Sequence, residues 1–271
     1  MADELLQDLD EGVLVLTLNR PERHNAWTND LEDEFFDALT AAAADPDVRV
    51  IVMTGSGTSF CPGMDMQVLS DSVEGRTGLT TARARGEHTF VRKIPKPVIA
   101  AVNGAAAGIG FVQAVACDLR FASTTAKFTS AFARRGLPAE NSLSWMLQRL
   151  VGSGTAMDLL LSARVVLAEE AREIGLVDRL YEPDQLLPET LAYAKDLAAN
   201  CSPKSMATIK AQVHDDWERT ADQSRNHAIL MLREHLRSPD FIEGVRSYTE
   251  KRAPEFDGVS HEVHPRRDGL R

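Results

Sequence analysis

Apolar residues fall along this chain in two rhythms. Predominantly apolar runs of five or six residues alternate with longer stretches in which apolar side chains recur at helical spacing. Val13–Leu18 (VLVLTL) is the first run and predicts a strand, broken by Asn19-Arg20-Pro21. Thr28 then stands where a helix N-cap belongs, ahead of LEDEFFDALTAAAA, and Asp45-Pro46 ends that helix. Residues 48–53 (VRVIVM) predict the next strand, which runs into the glycine-rich turn TGSGTSFCPGMDM. A polar stretch over 70–78 and a helix over 82–92 precede a strand at 97–102 and a turn at Asn103-Gly104. A helix to about Ala116, a short strand at 119–122 and an extended piece at Phe128-Thr129 follow.

Beyond that point the pattern is mainly helical, over 144–150, 155–161, 168–174 and 184–199, with one strand at 176–180. Three or four further helices follow Pro203. Strands in the first two-thirds and helices at the end predict an α/β core with a helical C-terminal extension. The closing DGVSHEVHPRRDGLR has few apolar residues and reads as a loose tail.

Composition narrows the function classes. With 44% hydrophobic and 26% charged residues this is an ordinary globular chain. Its 40 acidic against 30 basic residues leave a net charge of −10, which disfavours a nucleic-acid surface. Cys61, Cys117 and Cys201 form no CxxC pair, which suits a reducing cytoplasm and offers no zinc framework. The acidic start, MADELLQDLD, lacks the features of a signal peptide. Residues 98–117 carry no charge and are long enough to span a bilayer. Asn103, Gln113 and three glycines instead make a buried strand, a turn and a buried helix the better reading.

Most motifs that invite a chemical reading fail. Gly104, Gly108 and Gly110 follow a strand and open a helix, yet a dinucleotide fingerprint would need glycine at Gln113. No GxxxxGK[ST] or GxSxG occurs, and the His261 and His264 of SHEVH do not have zinc-protease spacing. Two strand–turn–helix junctions remain, FCPGMDM and NGAAAGIG. Each presents backbone N–H groups at a helix start, where negative charge is favoured. Converging, two such donors would make an oxyanion hole for a carbonyl becoming an enolate. On these residues alone, two closely packed turns remain the plainer reading, because spacing does not bring the donors together.

At the same turns the chain resembles the crotonase superfamily, the enoyl-CoA hydratase/isomerase family. The stretches that carry the resemblance are NRPERHNA (19–26), GSGTSFCPGMDM (55–66), KPVIAAVNGAAAGIG (96–110) and ACDLRFAS (116–123). FTSAFARRGL (128–137), EEAREIGLVDRL (169–180) and EGVRSYTEKRAPEF (243–256) continue it, in order, over nearly the whole chain. The resemblance implies an α/β fold, a crotonase-like spiral of ββα turns over residues 1–200. A helical trimerisation region over 201–256 and a polar tail over 257–271 would complete the chain. It also implies acyl-CoA thioester substrates, no metal or redox cofactor, and homotrimers or dimers of trimers. Its oxyanion hole falls on the N–H groups of Met64 and Ile109, after Gly63 and Gly108. It lines the CoA channel with Arg23, His24, Ala26, Asp65, Met66 and Gln67, and brings Lys251 and Phe256 to the CoA of this or a neighbouring subunit.

One departure from the family bears on the reaction. The two glutamates of typical family hydratases fall here on Val112 and Phe132, neither of which can move a proton. Glu140, in GLPAENSLSW, stands where the family's isomerases carry a single acid, among apolar neighbours that would raise its pKa. A glutamate at a helix start is also favourable on dipole grounds alone. With the resemblance, Glu140 becomes the expected acid/base. The expected function is isomerisation of an enoyl-CoA in fatty-acid metabolism, in the cytoplasm and without a membrane span. A hydratase or other thioester enzyme with one carboxylate, and a catalytically silent acyl-CoA-binding trimer, are the alternatives.

Overall fold

The computed structural model describes residues 3–75 and 88–263. Strands β1 (Leu5–Asp10) and β2 (Val13–Leu18) form a hairpin, and α1 (Asn29–Ala44) follows with Thr28 as its cap, accepting the Leu31 N–H at 3.0 Å. Three similar units come next: β3 (Val50–Gly55), β4 (Ser59–Cys61) and α2 (Met66–Val73); β5 (Val98–Val102), β6 (Ala105–Ala107) and α3 (Ile109–Ala116); β7 (Leu119–Ser123), β8 (Lys127–Thr129) and α4 (Leu143–Ser162). The remainder is β9 (Val166–Leu167), α5 (Ala168–Glu173), β10 (Arg179–Tyr181) and α6 (Leu186–Asn200). Three helices end it, α7 (Pro203–Asp215), α8 (Ala221–His235) and α9 (Pro239–Glu250).

Each unit gives one strand to each of two sheets, so the chain advances as a spiral of ββα turns. The larger sheet has the order β1-β2-β3-β5-β7-β10 and is parallel except for the β1–β2 pair. The smaller is β4-β6-β8-β9, parallel from β4 to β8. The alternation of side chains along a strand explains why the central strands read as predominantly apolar runs. Val50, Val52, Ile99, Ala101 and Phe121 pack with Leu186, Ala194 and Ala198 of α6, while Ile51, Met53, Val98 and Ala100 face the main core with Phe35, Leu39 and Phe111.

Several expectations shift. β1 has no counterpart in the pattern: it is an edge strand on which only Leu5 is buried, with Leu6 and Leu9 exposed, so its leucines do not mark one buried face. β6 intervenes between Gly104 and α3, since three alanines fit a strand as easily as a helix start. The helices expected over 144–150 and 155–161 are one element broken at Gly152, whose φ of 77° and ψ of 159° leave helical space. The strand expected at 176–180 pairs only from Arg179, because Leu176 and Val177 give their N–H groups to Ala171 O. Residues 82–87 of an expected helix lie outside the described residues, and His88–Lys93 form a 3-10 turn.

The tail also departs from expectation over its described part. Residues 257–263 lie against the core: Gly258 approaches Pro46 so closely that a Cβ there would sit 2.0 Å from the Pro46 carbonyl oxygen. The His261 N–H donates to Ala43 O, and Val263 packs on the core. On the helical side, Lys210 of α7 is buried and meets the Asp118 carboxylate at 2.7 Å, with His214 Nε2 at 3.2 Å from the same group. That pairing holds the Asp118 carboxyl below the usual carboxylate range against the effect of its burial, and fastens the arm to the core.

Candidate active site

The site grows from the ends of β4, β6 and β8. Parallel pairing of Cys61 with Ala106, and of Ala107 with Thr129, brings the chain out of all three strands on one side. The two glycine turns pack directly on each other there. A Cβ on Gly63 would lie 3.3 Å from the Ala107 carbonyl oxygen, and one on Gly108 would lie 3.7 Å from Gly63 Cα. Gly63 and Gly108 have φ of 113° and 52°, conformations that L side chains rarely adopt. Gly110 has ordinary torsions but no room, since a Cβ would meet the Cys61 carbonyl oxygen at 2.1 Å.

The residues after the two touching glycines are Met64 and Ile109, so the contact that spacing left open is made. Ile109 opens α3, whose first N–H groups have no partner within the helix. Neither the Met64 nor the Ile109 N–H has an acceptor among the described residues. The Met64 turn is fixed from below, as Trp27 N–H donates to Gly63 O at 2.8 Å and Asp65 N–H to Trp27 O at 2.9 Å. The two amides thus follow two glycines that pack on each other, and the Ile109 N–H stands at a helix start, where negative charge is favoured.

The third strand leads into the segment that carries Glu140. Leu137 N–H returns to Phe132 O at 3.1 Å, closing a loop around the 3-10 turn Ala133–Arg135. Ala131, Asn141 and Ser142 have φ of 60°, 52° and 58°, so three non-glycine residues near Glu140 are held left-handed. Each such residue stores roughly 1–2 kcal/mol. Glu140 is half-buried, and burial raises its pKa above the usual carboxylate value. Val112 and Phe132 are buried and apolar, Val112 completely.

The other expected site residues divide. Arg23 and His24 are exposed on the 3-10 turn Pro21–Arg23, and Ala26 is buried behind them, its carbonyl accepting from Arg20 at 2.6 Å. Met66 and Gln67 are exposed at the start of α2, and Gly108 forms the second turn. Asp65 is not free to meet CoA: it is buried, caps α2 through the Gln67 N–H at 2.9 Å, and pairs with Arg20 at 3.1 Å. Phe256 is remote from its own chain's turns. Its carbonyl accepts from Arg49 at 2.7 Å, beside the start of β3, whereas the turns follow the strand ends. Lys251 caps the C-terminus of α9, five residues before Phe256.

Sequence reasoning passed over two asparagines and one histidine. Buried Asn25, with φ of 64°, donates to Ser56 O and Ser59 O, and Asn103 donates to Gly55 O at 2.9 Å. Together they tie the first turn to the β3–β4 connection. Both lie in the stretches NRPERHNA and KPVIAAVNG, where an asparagine beside a turn was the available signal. Buried His88 bonds through Nδ1 to the Gln113 carboxamide on α3, and its Nε2 lies 3.5 Å from Glu32 on α1. It falls within the helix expected over 82–92, and nothing in that pattern marked it out.

Comparison with known proteins agrees with this geometry. A family model described as enoyl-CoA hydratase/isomerase matches residues 8–259. The chain is 33% identical over 265 residues to the 1,2-epoxyphenylacetyl-CoA isomerase of Escherichia coli (strain K12), covering 95% of this chain and 100% of that one. It is likewise 33% identical over 254 residues to an enoyl-CoA hydratase of Alternaria alternata, covering 93% and 85%. The crystal structure of an enoyl-CoA hydratase from Mycobacterium tuberculosis H37Rv superposes with a TM-score of 0.86 at 30% identity, over 94% of this chain and 99% of that one. With the spiral fold and the paired glycine turns both in place, the chain belongs to the enoyl-CoA hydratase/isomerase family of the crotonase superfamily.

Proposed function

We propose that this enzyme shifts the double bond of an enoyl-CoA thioester, with Glu140 as its single acid/base. The observation that carries the reading is the pairing of one half-buried carboxyl of raised pKa with two buried apolar side chains, Val112 and Phe132, at the family's other carboxylate places. Hydration of a double bond needs one group to activate water and another to handle the C2 proton. An allylic shift needs only one group that takes a proton and returns it.

The steps balance within the substrate. Glu140, ionised, removes a proton from C2 of a 3-enoyl-CoA, and the C–H electron pair forms the enolate. The thioester oxygen gains negative charge, which the Met64 and Ile109 N–H groups stabilise as hydrogen-bond donors. Donors of this kind each contribute about 10²–10³ in rate. The electrons then return through C2=C3, and Glu140 delivers its proton to C4, giving the 2-enoyl thioester. No electron leaves the substrate, so the step needs neither redox cofactor nor metal. Because backbone supplies both donors, methionine and isoleucine serve at those positions.

Such a substrate suits fatty-acid metabolism, and three unpaired cysteines suit a reducing cytoplasm. Assembly into trimers or dimers of trimers is supported by the apolar side chains left exposed on the arm, among them Leu232 on α8 and Ile242, Val245 and Tyr248 on α9. No helix among the described residues is long and apolar enough to cross a membrane.

Glu140→Gln is the test. Turnover of 3-hexenoyl-CoA should fall by about 10²–10⁴ with the Kd for a CoA thioester nearly unchanged. Crotonyl-CoA, assayed beside it, should be hydrated far more slowly than 3-hexenoyl-CoA is isomerised. Unchanged turnover in the variant, or faster hydration than isomerisation in the wild type, would overturn the reading.

A further inference from the structure

The helix that follows Glu140 is joined to the C-terminal arm by a stack of indole and guanidinium groups. Trp145 of α4 meets Trp217, in the 3-10 turn Asp216–Glu218 that follows α7, with ring centroids 4.7 Å apart. Arg92 lies over both indoles, its Cζ 4.4 Å from the Trp145 centroid and 4.8 Å from that of Trp217. Arg149 does the same at 4.0 and 5.2 Å. Indole is the side-chain ring that attracts a cation most strongly. Arg92 Nη2 also donates to His214 Nδ1 at 3.2 Å, and His214 Nε2 donates in turn to the Asp118 carboxylate, which holds Lys210 as well. Since a guanidinium only donates, that imidazole accepts on one nitrogen and donates from the other. The stack is thus continuous with the pairing that fastens α7 to the core.

The stack bears on Glu140 because the backbone between them is short and does not support itself. Leu143 N–H returns to Glu140 O at 2.9 Å, so the residue that carries the carboxyl is bonded to the first residue of α4. Asn141 and Ser142, between the two, have positive φ, and the Ser142 side chain caps no N–H of the helix it precedes. Backbone of this kind persists only where its surroundings hold it. Before Glu140 the chain is exposed from Ala133 to Pro138, so the nearest firm support lies in α4. There Leu143, Met146 and Leu147 are anchored in the core, and Trp145 is anchored on the arm. We propose that Trp217 is a positioning residue of this site. From the arm, together with the two arginines, it holds Trp145, fixes the first turn of α4, and so sets where the loop presents the Glu140 carboxyl. It acts through Trp145 and not by touching the reacting atoms.

The inference rests on Glu140 being the acid/base, and its test keeps the two claims apart. Trp217→Leu removes the ring, and Trp217→Phe keeps one. With 3-hexenoyl-CoA, kcat in Trp217→Leu should fall about tenfold or more with KM within about twofold, because a misplaced group costs rate even where binding persists. Trp217→Phe should recover most of that loss. A second measurement needs no substrate. Arg134 and Arg135 are exposed in the same loop, and trypsin should cut there about threefold or more faster in Trp217→Leu than in wild type or Trp217→Phe, with fragments identified by mass spectrometry. Arg149→Ala removes one exposed member of the stack and should show both effects more weakly.

Wild-type kcat in Trp217→Leu would overturn the proposal, whatever its melting temperature. So would a fall in kcat without faster cleavage, since the loop would then not have moved. If Trp217→Leu does not fold, Arg149→Ala decides by the same two measurements. If the wild type isomerises no enoyl thioester, the reading of Glu140 fails, and the rate of cleavage alone decides whether the stack holds the loop.

Discussion

The two parts of the site are built on opposite terms. The turns at 63–64 and 108–110 are enclosed and defined by backbone: glycines touch glycines or carbonyls, and the side chains of Met64 and Ile109 supply nothing to the chemistry proposed for them. The segment from Ala131 to Ser142 is open. Gly136 has nothing within 4 Å of a Cβ position, Leu137 is 41% exposed, and three non-glycine residues sit in left-handed backbone. One part is determined by what cannot fit, and the other by a single carboxyl group. A backbone site tolerates changes in the residue that donates but not in the glycine beside it. A side-chain site inverts that rule.

The sharpest way to break this contrast is to make the same substitution in both parts. Gly110→Ala places a methyl 2.1 Å from the Cys61 carbonyl oxygen, between β4 and α3, where neither neighbour is a flexible side-chain end. A loss of at least about 3 kcal/mol in urea unfolding is expected, with the two turns forced apart. Gly136→Ala meets no atom and only strains a φ of 72°, so it should lose about 1 kcal/mol. Equal losses in the two variants would show that the turns have room to relax, and the enclosure would lose its meaning as a device for holding donors.

Glu140→Gln gives a smaller effect on stability, and one of opposite sign. Burial raises the Glu140 pKa in the folded chain above its unfolded value, so ionisation is easier in the unfolded state. For a carboxyl shifted upward, the stability lost on ionisation is absent below the unfolded pKa. It grows through the interval up to the folded pKa and stays constant above it. The variant should therefore melt higher than wild type at neutral pH, and the difference should vanish near about pH 4. The same shift sets activity, because only the ionised carboxyl accepts a proton. The acid limb of kcat/KM should lie above the range of an exposed carboxylate. A variant less stable than wild type at neutral pH would mean that Glu140 is a structural anchor.

Much of this was legible in the sequence, and the division between the two parts explains which portion. Predominantly apolar runs disclosed β2, β3 and β5 because both faces of those strands are buried. Thr28 disclosed α1 because capping is a local interaction. β1 was hidden, since an edge strand with exposed Leu6 and Leu9 lacks the contrast on which the pattern depends. At the site, glycines placed the turns, but their contact depends on the β4–β6 register, which no local pattern encodes. Asp65 looked like a channel residue because its pairing partner, Arg20, is 45 residues away. His88, Gln113 and Glu32 come from three separate elements and converge only in the folded chain.

The smallest expected effect tests the backbone half most directly. Met64 is partly buried, packs against the core, and is proposed to contribute only its N–H. Met64→Leu keeps the volume nearly constant and leaves the amide unchanged, so stability should move by less than about 1.5 kcal/mol. The kcat for the enoyl thioester should remain within about twofold of wild type, since the donor to the enolate oxygen persists. Replacing the residue by proline instead would remove the N–H, but it would also alter a φ that the bridge between Trp27 and Met64 holds, and the two effects could not be separated. The leucine variant avoids that ambiguity. A tenfold fall in kcat at unchanged melting temperature would mean that the methionine side chain itself touches the substrate, and the distinction between a backbone half and a side-chain half would no longer hold.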